Sequence, residues 1–502
     1  MKYFGITIGP IFENVSEASK PATLWFASTL FSDFSYRLCK AIHAEWGNAR
    51  IYSPCFLEDE DLSDGVGKYH DRIFFSVEDD NAPDKLDLII MKVKDDTFDS
   101  AFCEEQEETA RNHKKNSLSQ SLYAKYVVLD ELPNGKNILN TIGPMLDCME
   151  LMPSFSAVDS NTPLKELLNS ADPNSMIRNS RLFMAVKPEK SQLITNGTDH
   201  SVRTITEIAS SGDGGEALQR KHYYAVVSAD GDRVGKIISS LTEESIPRFS
   251  EALLSYDREA AQKIKDFGGM TIYAGGDDLL FLAPVAGKNG ENILELCSEL
   301  GEAFRSMLGT IVPEEVSKGD GGPDVSFGIA VRYEKYPLFE ALKASRELLG
   351  EIKSGTGRGL ILTDIQKHSG QSEAFMIPNG FSGELIRFLS RYTAENEKEE
   401  KSSAADKGAL NSVGYAIGTF RALIKQLVSL ELPEAEALAE LFSAYLKPVV
   451  IISDDEKYIV SGLRRPAAEM PKEETMHDHP HTQADENEQL ALLEYMLHHN
   501  EH

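Results

Sequence analysis

Two short apolar runs, 270–274 and 279–284, flank the tetrapeptide Gly275-Gly276-Asp277-Asp278, and this pattern constrains the chain more than any other. Strand-forming runs broken by so few residues, with glycine at the break, predict a β-hairpin. Upstream, residues 223–229 (YYAVVSA) are β-branched and aromatic, and they stop at Asp230-Gly231-Asp232. The spacing predicts a helix over about 243–267, ended by Gly268-Gly269. After the hairpin come a helix over about 289–308, a strand at 325–331, a helix at 337–352 and a strand at 360–362. Strand–helix–strand–strand–helix–strand is the order of the ferredoxin-like unit, here over roughly 220–365.

The N-terminal part reads in a similar way. Residues 2–8 form a strand ending at Gly9-Pro10, 13–45 are helical, and 50–53, 72–77 and 85–93 read as strands. These elements make one α/β domain to about residue 150, with 95–120 as a solvated charged helix or loop. Residues 191–216, rich in Ser, Thr and Gly, read as a linker within a mixed 151–215 region. Residues 380–450 look helical inside a 366–465 segment. From 466 to 502 there are nine acids and one lysine, which marks an acidic flexible tail.

Composition narrows the partners. The formal net charge is −29, which argues against a free-standing nucleic-acid binder but leaves ATP open, since carboxylates hold the magnesium that ATP brings. No apolar run reaches the roughly 18 residues of a membrane span, and the N-terminus does not read as a secretory signal, so a cytoplasmic protein is expected. The five cysteines form no C-x-x-C pair, which disfavours a zinc ribbon.

The ferredoxin-like order carries a chemical consequence. The end of its first strand lies beside the hairpin joining its second and third, so Asp230 should meet Asp277 and Asp278. Converging carboxylates suit two Mg²⁺ or Mn²⁺ ions about 3.5–4 Å apart. Gly275 and Gly276 allow a tight turn and close backbone approach. The backbone of Gly231, Asp232, Arg233 and Val234, entering a helix, is a candidate phosphate cradle. Lys353, before the Gly-rich 354–359, is placed to reach a β- or γ-phosphate. The chemistry expected of this set is metal-assisted in-line attack on the α-phosphate of ATP, with pyrophosphate leaving. Alone, Gly-Gly-Asp-Asp or Asp-Gly-Asp is usually a turn; together, in this order and flanked by strands, they point to catalysis.

These residues resemble the large polymerase/cyclase-like subunit of type III CRISPR effector complexes. The resemblance rests on 227–238 (VSADGDRVGKII), 272–284 (IYAGGDDLLFLAP) and 326–353, and more loosely on Ile6-Thr7-Ile8-Gly9-Pro10. It implies an α+β chain with two ferredoxin-like palm domains plus helical domains. The first palm, 1–150, would be the non-catalytic acceptor side, and 216–365 the catalytic palm. It implies ATP, two Mg²⁺ or Mn²⁺ ions, partner subunits with guide RNA and target RNA, and a cyclic oligoadenylate messenger. Asp230, Asp277, Asp278 and Lys353 fall on the family's catalytic positions. Three departures stand out. The chain starts directly at the first palm with no preceding HD nuclease domain, and it has no zinc ribbon. His70-Asp71 is an HD dipeptide without a second metal-spaced set. Past Gly9 and Pro10, the acceptor side lacks the arginines that suit a second ATP, and Asp71 adds a carboxylate. Two readings of Asp71 stand. Either the acceptor is a hydroxyl-bearing cation such as S-adenosylmethionine, giving an AMP adduct, or Asp71 is a surface residue paired with Arg72 or Lys68.

Other function classes fit less well. A diguanylate-cyclase-like hairpin would end in an acid followed by Glu. A non-catalytic nucleotide-binding scaffold would not need all three aspartates. Gly235-Lys236 fails as a P-loop because Ile237 stands where Ser or Thr must hold magnesium. Val234 and Leu241 occupy ligand positions in any EF-hand alignment.

Overall fold

A computed structural model describes residues 1–11, 15, 18–101, 122–151, 177–195, 201–211, 222–288, 291–312, 322–355, 358–366, 370 and 372–379. The helical expectation for 380–450 and the acidic tail lie outside these residues. The chain divides into two compact units. The first comprises Met1–Gly359 with Asp364–Gln371, and the second Leu360–Thr363 with Ser372–His502.

The first unit begins with β1 (Lys2–Gly9), α1 (Pro21–Glu45), β2 (Arg50–Ser53), β3 (Arg72–Val77), α2 (Ala82–Ala101), β4 (Tyr123–Leu129) and α3 (Ile138–Leu151). Its sheet order is β2-β3-β1-β4, with β1 antiparallel to both neighbours. Two short helices follow, α4 (Arg181–Met184) and α5 (Ile205–Ala209). Next come β5 (Tyr223–Asp232), α6 (Val234–Ser240), α7 (Ile246–Phe267), β6 (Met270–Gly275), β7 (Asp278–Pro284), α8 (Ile293–Gly309), β8 (Asp324–Tyr333) and α9 (Leu338–Ser354). Here the order is β8-β5-β7-β6. Both sheets therefore have the ferredoxin-like arrangement, the first strand lying between the fourth and the third. In the second sheet the closing strand is β8, so α9 is an addition to the motif. Of the second unit the structure describes the start of β9 (Leu360–Gln366) and its neighbour β10 (Ser372–Pro378).

Helix α1 ties the two sheets into one core. Leu24, Trp25, Phe26, Ala27 and Leu30 are fully buried, each large side chain adding about 1.5–3 kcal/mol over exposure. The helix meets β1 and β3 of its own sheet and also β6 of the other. Ser28 Oγ donates to the Ile272 carbonyl at 3.2 Å, and Ala274 N–H donates to the Gly67 carbonyl at 2.8 Å. The two palm-like units thus share hydrogen bonds as well as apolar packing.

Two sequence expectations are corrected. Residues 85–93 lie in helix α2, not in a strand. Ala82, Leu86, Val93, Thr97, Phe98, Ser100 and Ala101 are buried, while Leu88 and Met91 are exposed, so the Leu-Ile-Ile-Met run belongs to a helix that buries one stripe. The strand that completes the sheet is β4, whose alternation in YAKYVVL is weak because all seven residues are half-buried. Residues 191–195 and 201–211 are packed rather than a linker. The Gln192 amide donates to the Ala261 carbonyl (2.7 Å) and accepts from Thr271 N–H (3.0 Å). Arg203 donates to the carbonyls of Gln192, Gly268 and Gly269, and Ile208 is fully buried. Polar composition hid a segment whose side chains bond to backbone. No helix among the described residues is long and apolar enough to cross a membrane.

Candidate active site

The hairpin between β6 and β7 is a two-residue turn. Gly275 pairs with Asp278, leaving Gly276 and Asp277 at the tip. Gly276 takes φ +79° and Asp277 does not enter positive φ, the pattern of a type II′ turn that needs glycine first. The β5–β7 register runs to Ala229↔Leu279, which delivers Asp230 beside the turn. Gly231 N–H donates to the Asp277 carbonyl at 3.1 Å. A Cβ on Gly231 would stand 2.7 Å from the Asp277 Cβ, so only glycine lets the strand end approach this closely.

The structure therefore brings Asp230, Asp277 and Asp278 together, along with Gly231, Gly275 and Gly276. The Asp230 and Asp277 carboxyls lie close enough for the charge of one to act on the other. Burial, then the Asp230 charge, pushes the Asp277 carboxyl up to about 7. Asp278 is raised well above the carboxylate range by burial, then by Asp277, Asp230 and Asp71. Asp278 is nonetheless reached by solvent. Crowded like charges of this kind are relieved by protons or by a divalent cation, and their hard oxygens are those Mg²⁺ takes. Among the described residues no group of three or more His, Cys, Asp or Glu stands ready as a complete metal cage. Two carboxylates with phosphate oxygens suffice for Mg²⁺, so the donor set fits.

Lys353 reaches the same place from α9. Gly328 on β8 makes this possible: a Cβ there would lie 2.6 Å from the Leu349 nitrogen, so the glycine lets α9 press against the sheet. Ser228 Oγ and Ser345 Oγ, 2.9 Å apart, pin the same contact. Lys353 Nζ then bonds Asp230 Oδ2 (2.7 Å), Asp232 Oδ1 (2.7 Å) and the carbonyls of Asp230 and Gly231 (2.9 Å each). Arg346, two turns earlier on α9, acts electrostatically on Asp278.

The expected phosphate cradle is different in detail. Gly231's amide is occupied by the Asp277 carbonyl. Asp232 is buried, and its Oδ2 accepts from Ser326 Oγ (2.7 Å) and Gly359 N–H (2.8 Å). Arg233 sits at φ +62° before the seven-residue α6, and Val234 is buried. Asp232 thus anchors both Lys353 and Gly359.

The first palm supplies the facing wall. The His70 ring lies 3.6 Å from where a Gly276 Cβ would be, and its Nε2 is 3.0 Å from Ser53 Oγ. Burial, then Arg72, holds His70 down at about 4, so it is neutral. Asp71, raised by burial, acts on Asp278 and on Tyr273. Neither cation assigned to Asp71 pairs with it. Arg72 bonds Asp147 and Glu150, and Lys68 bonds Asp64 and Glu60. Gly9 and Pro10 stay with the first sheet, where Gly9 pairs with Tyr123 and packs on its ring.

Sequence reading missed Asp257 of α7, which is 1% exposed and whose Oδ2 accepts from Gly276 N–H at 3.2 Å. The signal was an acid at an apolar-stripe position of an amphipathic helix, between Leu253, Leu254 and Ala260, Ala261.

Comparison with known proteins points to one family. Residues 223–362 match the second palm domain of Cas10/Cmr2, and residues 3–121 match the N-terminal domain of the CRISPR-associated protein Cmr2; together these span just over half of the chain. The CRISPR system Cmr subunit Cmr2 of Pyrococcus furiosus is 31% identical over 205 residues. That match spans 35% of this chain and only 22% of the relative. A type III-B Cmr-beta cryo-EM structure in the apo state superposes with a TM-score of 0.54 at 12% identity, covering 90% of this chain and 78% of that one. A Csm1-Csm4 cassette crystallised with cA4 gives 0.50 at 13%, covering 98% and 69%. At such identities these two are likenesses of fold. The chain belongs to the Cas10/Cmr2 family of CRISPR-associated proteins.

Proposed function

We propose that this chain is a nucleotidyltransferase that transfers the AMP moiety of ATP, with pyrophosphate as leaving group, inside a type III CRISPR effector complex. The single observation that carries the proposal is the meeting of Asp230 with Asp277 and Asp278 across β5 and a glycine-enforced turn. Mg²⁺ or Mn²⁺, held by Asp230 and Asp277 with Asp278 beside them, would activate the attacking hydroxyl and offset charge on the α-phosphate. The chain's own contribution is placement. Gly231 N–H fixes the Asp277 carbonyl, and Lys353 holds Asp230 at the strand end. Lys353 and Arg346 bring positive charge to the acidic cluster, which favours a polyphosphate over a neutral ligand. The family resemblance supports cyclic oligoadenylate as the product class, and a Csm1-Csm4 cassette of like fold was solved with cA4. Partner subunits, guide RNA and target RNA belong to the same proposal, since a chain of net charge −29 needs others to hold nucleic acid.

A second reading is favoured by one feature, Asp71. Its charge acts on Asp278 of the hairpin, and the cations next to it in sequence bond other carboxylates. A second triphosphate there would meet negative charge, whereas a cationic acceptor such as S-adenosylmethionine would replace the proton that burial favours on Asp71. The deciding experiment supplies the assembled, target-activated complex with ATP alone and with ATP plus S-adenosylmethionine, and analyses products by mass. Full cyclic product from ATP alone removes the adduct reading. No product in either condition, with Asp277→Ala/Asp278→Ala indistinguishable from wild type, removes the enzymatic proposal.

A further inference from the structure

In a two-residue turn the tip peptides point away from the ladder, and their orientation is set by whatever bonds them from outside. Here each side of the tip has one such partner. The Asp277 carbonyl accepts from Gly231 N–H of β5 (3.1 Å), and Gly276 N–H donates to Asp257 Oδ2 of α7 (3.2 Å). Asp257 lies within the buried stripe of α7, where Phe249, Leu253, Ala260, Ile264 and Phe267 pack. Its other oxygen, Oδ1, is buried without a hydrogen-bond partner among the described residues. A carboxyl in that position costs stability relative to an apolar residue, and helix packing alone does not account for it.

We infer that Asp257 is a positioning residue for the nucleotidyl-transfer reaction: by accepting from Gly276 N–H it sets the plane of the turn peptide and so the direction of the Asp277 and Asp278 carboxylates. It touches no substrate. The inference rests on the proposed catalytic role of the hairpin.

The role needs a hydrogen-bond acceptor at Oδ2 and no charge. Asp257→Asn keeps an acceptor of the same shape, while Asp257→Ala and Asp257→Leu remove it. The test uses the assembled, activated complex with the full chain, measuring kcat and KM for ATP, the Mg²⁺ concentration for half-maximal rate, and thermal stability. The expected result is a fall in kcat of about 10²-fold for the Ala and Leu variants, the size associated with an ångström-scale misplacement. KM for ATP should change by less than about threefold, since the triphosphate contacts are elsewhere. Asp257→Asn should stay within about threefold of wild type on every measure. Leu tests whether the acid only fills space: a folded, stable Leu variant with wild-type kcat overturns the inference, as does an Asn variant as impaired as Ala. If Ala fails to assemble, the Asn and Leu pair still decides. Failure of the underlying catalytic reading looks different, because Asp277→Ala would then also leave turnover unchanged.

Discussion

The two palm-like units share one strand order and differ where their strands end. In the second, β6 and β7 are joined by Gly276-Asp277 alone, and the turn holds its acids against Asp230. In the first, β2 and β3 are joined by residues 54–71, a long connection that crosses to the other palm. Its Gly67 bridges Tyr273, its His70 ring lies against Gly276, and its Asp71 acts electrostatically on Asp278. One sheet design thus yields a short acidic turn in one copy and a reaching arm in the other. The fold supplies the scaffold, and the connections decide which copy carries the chemistry.

Four outcomes would break or sharpen that contrast. The largest concerns the acids themselves. Asp277→Asn in the second palm should lower ATP turnover by about 10³-fold or more, whereas Asp71→Asn in the first palm should lower turnover with ATP alone by no more than about threefold. Comparable losses from both would mean that the palms share the chemistry equally. Next is the anchor. Lys353→Met leaves Asp230 and the buried Asp232 without their cation and should cost about 10²-fold in kcat, read from initial rates at saturating ATP. A third outcome concerns choice of acceptor. If a cationic acceptor is used, Asp71→Asn should weaken its KM by about 10-fold while leaving that for ATP unchanged, the scale of one ion pair in a partly buried site. The smallest is a pH effect. His70 is held neutral to about 4 in the folded chain against an ordinary value near 6.5. The unfolded chain therefore gains a proton that the folded one refuses as pH falls from 6.5 toward 4, so this stabilisation is present above 6.5 and lost across that window. Compared with His70→Gln, wild type should lose a few degrees more in melting temperature between pH 7.5 and 5.0. Parallel losses would show that His70 is not held neutral.

How much of this was legible from sequence differs between the palms for the same reason. In the second, alternating apolar strands, a two-residue turn with glycine and an acid-terminated first strand are all local signals, and 223–284 could be read almost element by element. In the first, α2 was mistaken for a strand because Leu88, Ile89, Ile90 and Met91 form an apolar run although Leu88 and Met91 face solvent. The roles of Lys353 and Asp232 were only half visible. Their positions followed from spacing, but that they would bond each other depended on Gly328 letting α9 settle on the sheet, a contact between residues distant in sequence. Asp257 and His70 were less visible still, since both matter through packing against the hairpin and neither sits in a motif. Side chains that bond a loop's backbone, such as Gln192 and Arg203, left a composition that looked like a linker.

The account's central claim is that acids from two separate strands act as one cation-holding set. The most direct measurement titrates Mn²⁺, with a non-hydrolysable ATP analogue present, into assembled complexes carrying wild type, Asp230→Asn or Asp277→Asn, reading bound Mn²⁺ by electron paramagnetic resonance. Wild type should bind Mn²⁺ in an analogue-dependent way, and each single change should weaken that binding by about 10-fold or more and to a similar extent. Equal Mn²⁺ affinity in all three would contradict the account.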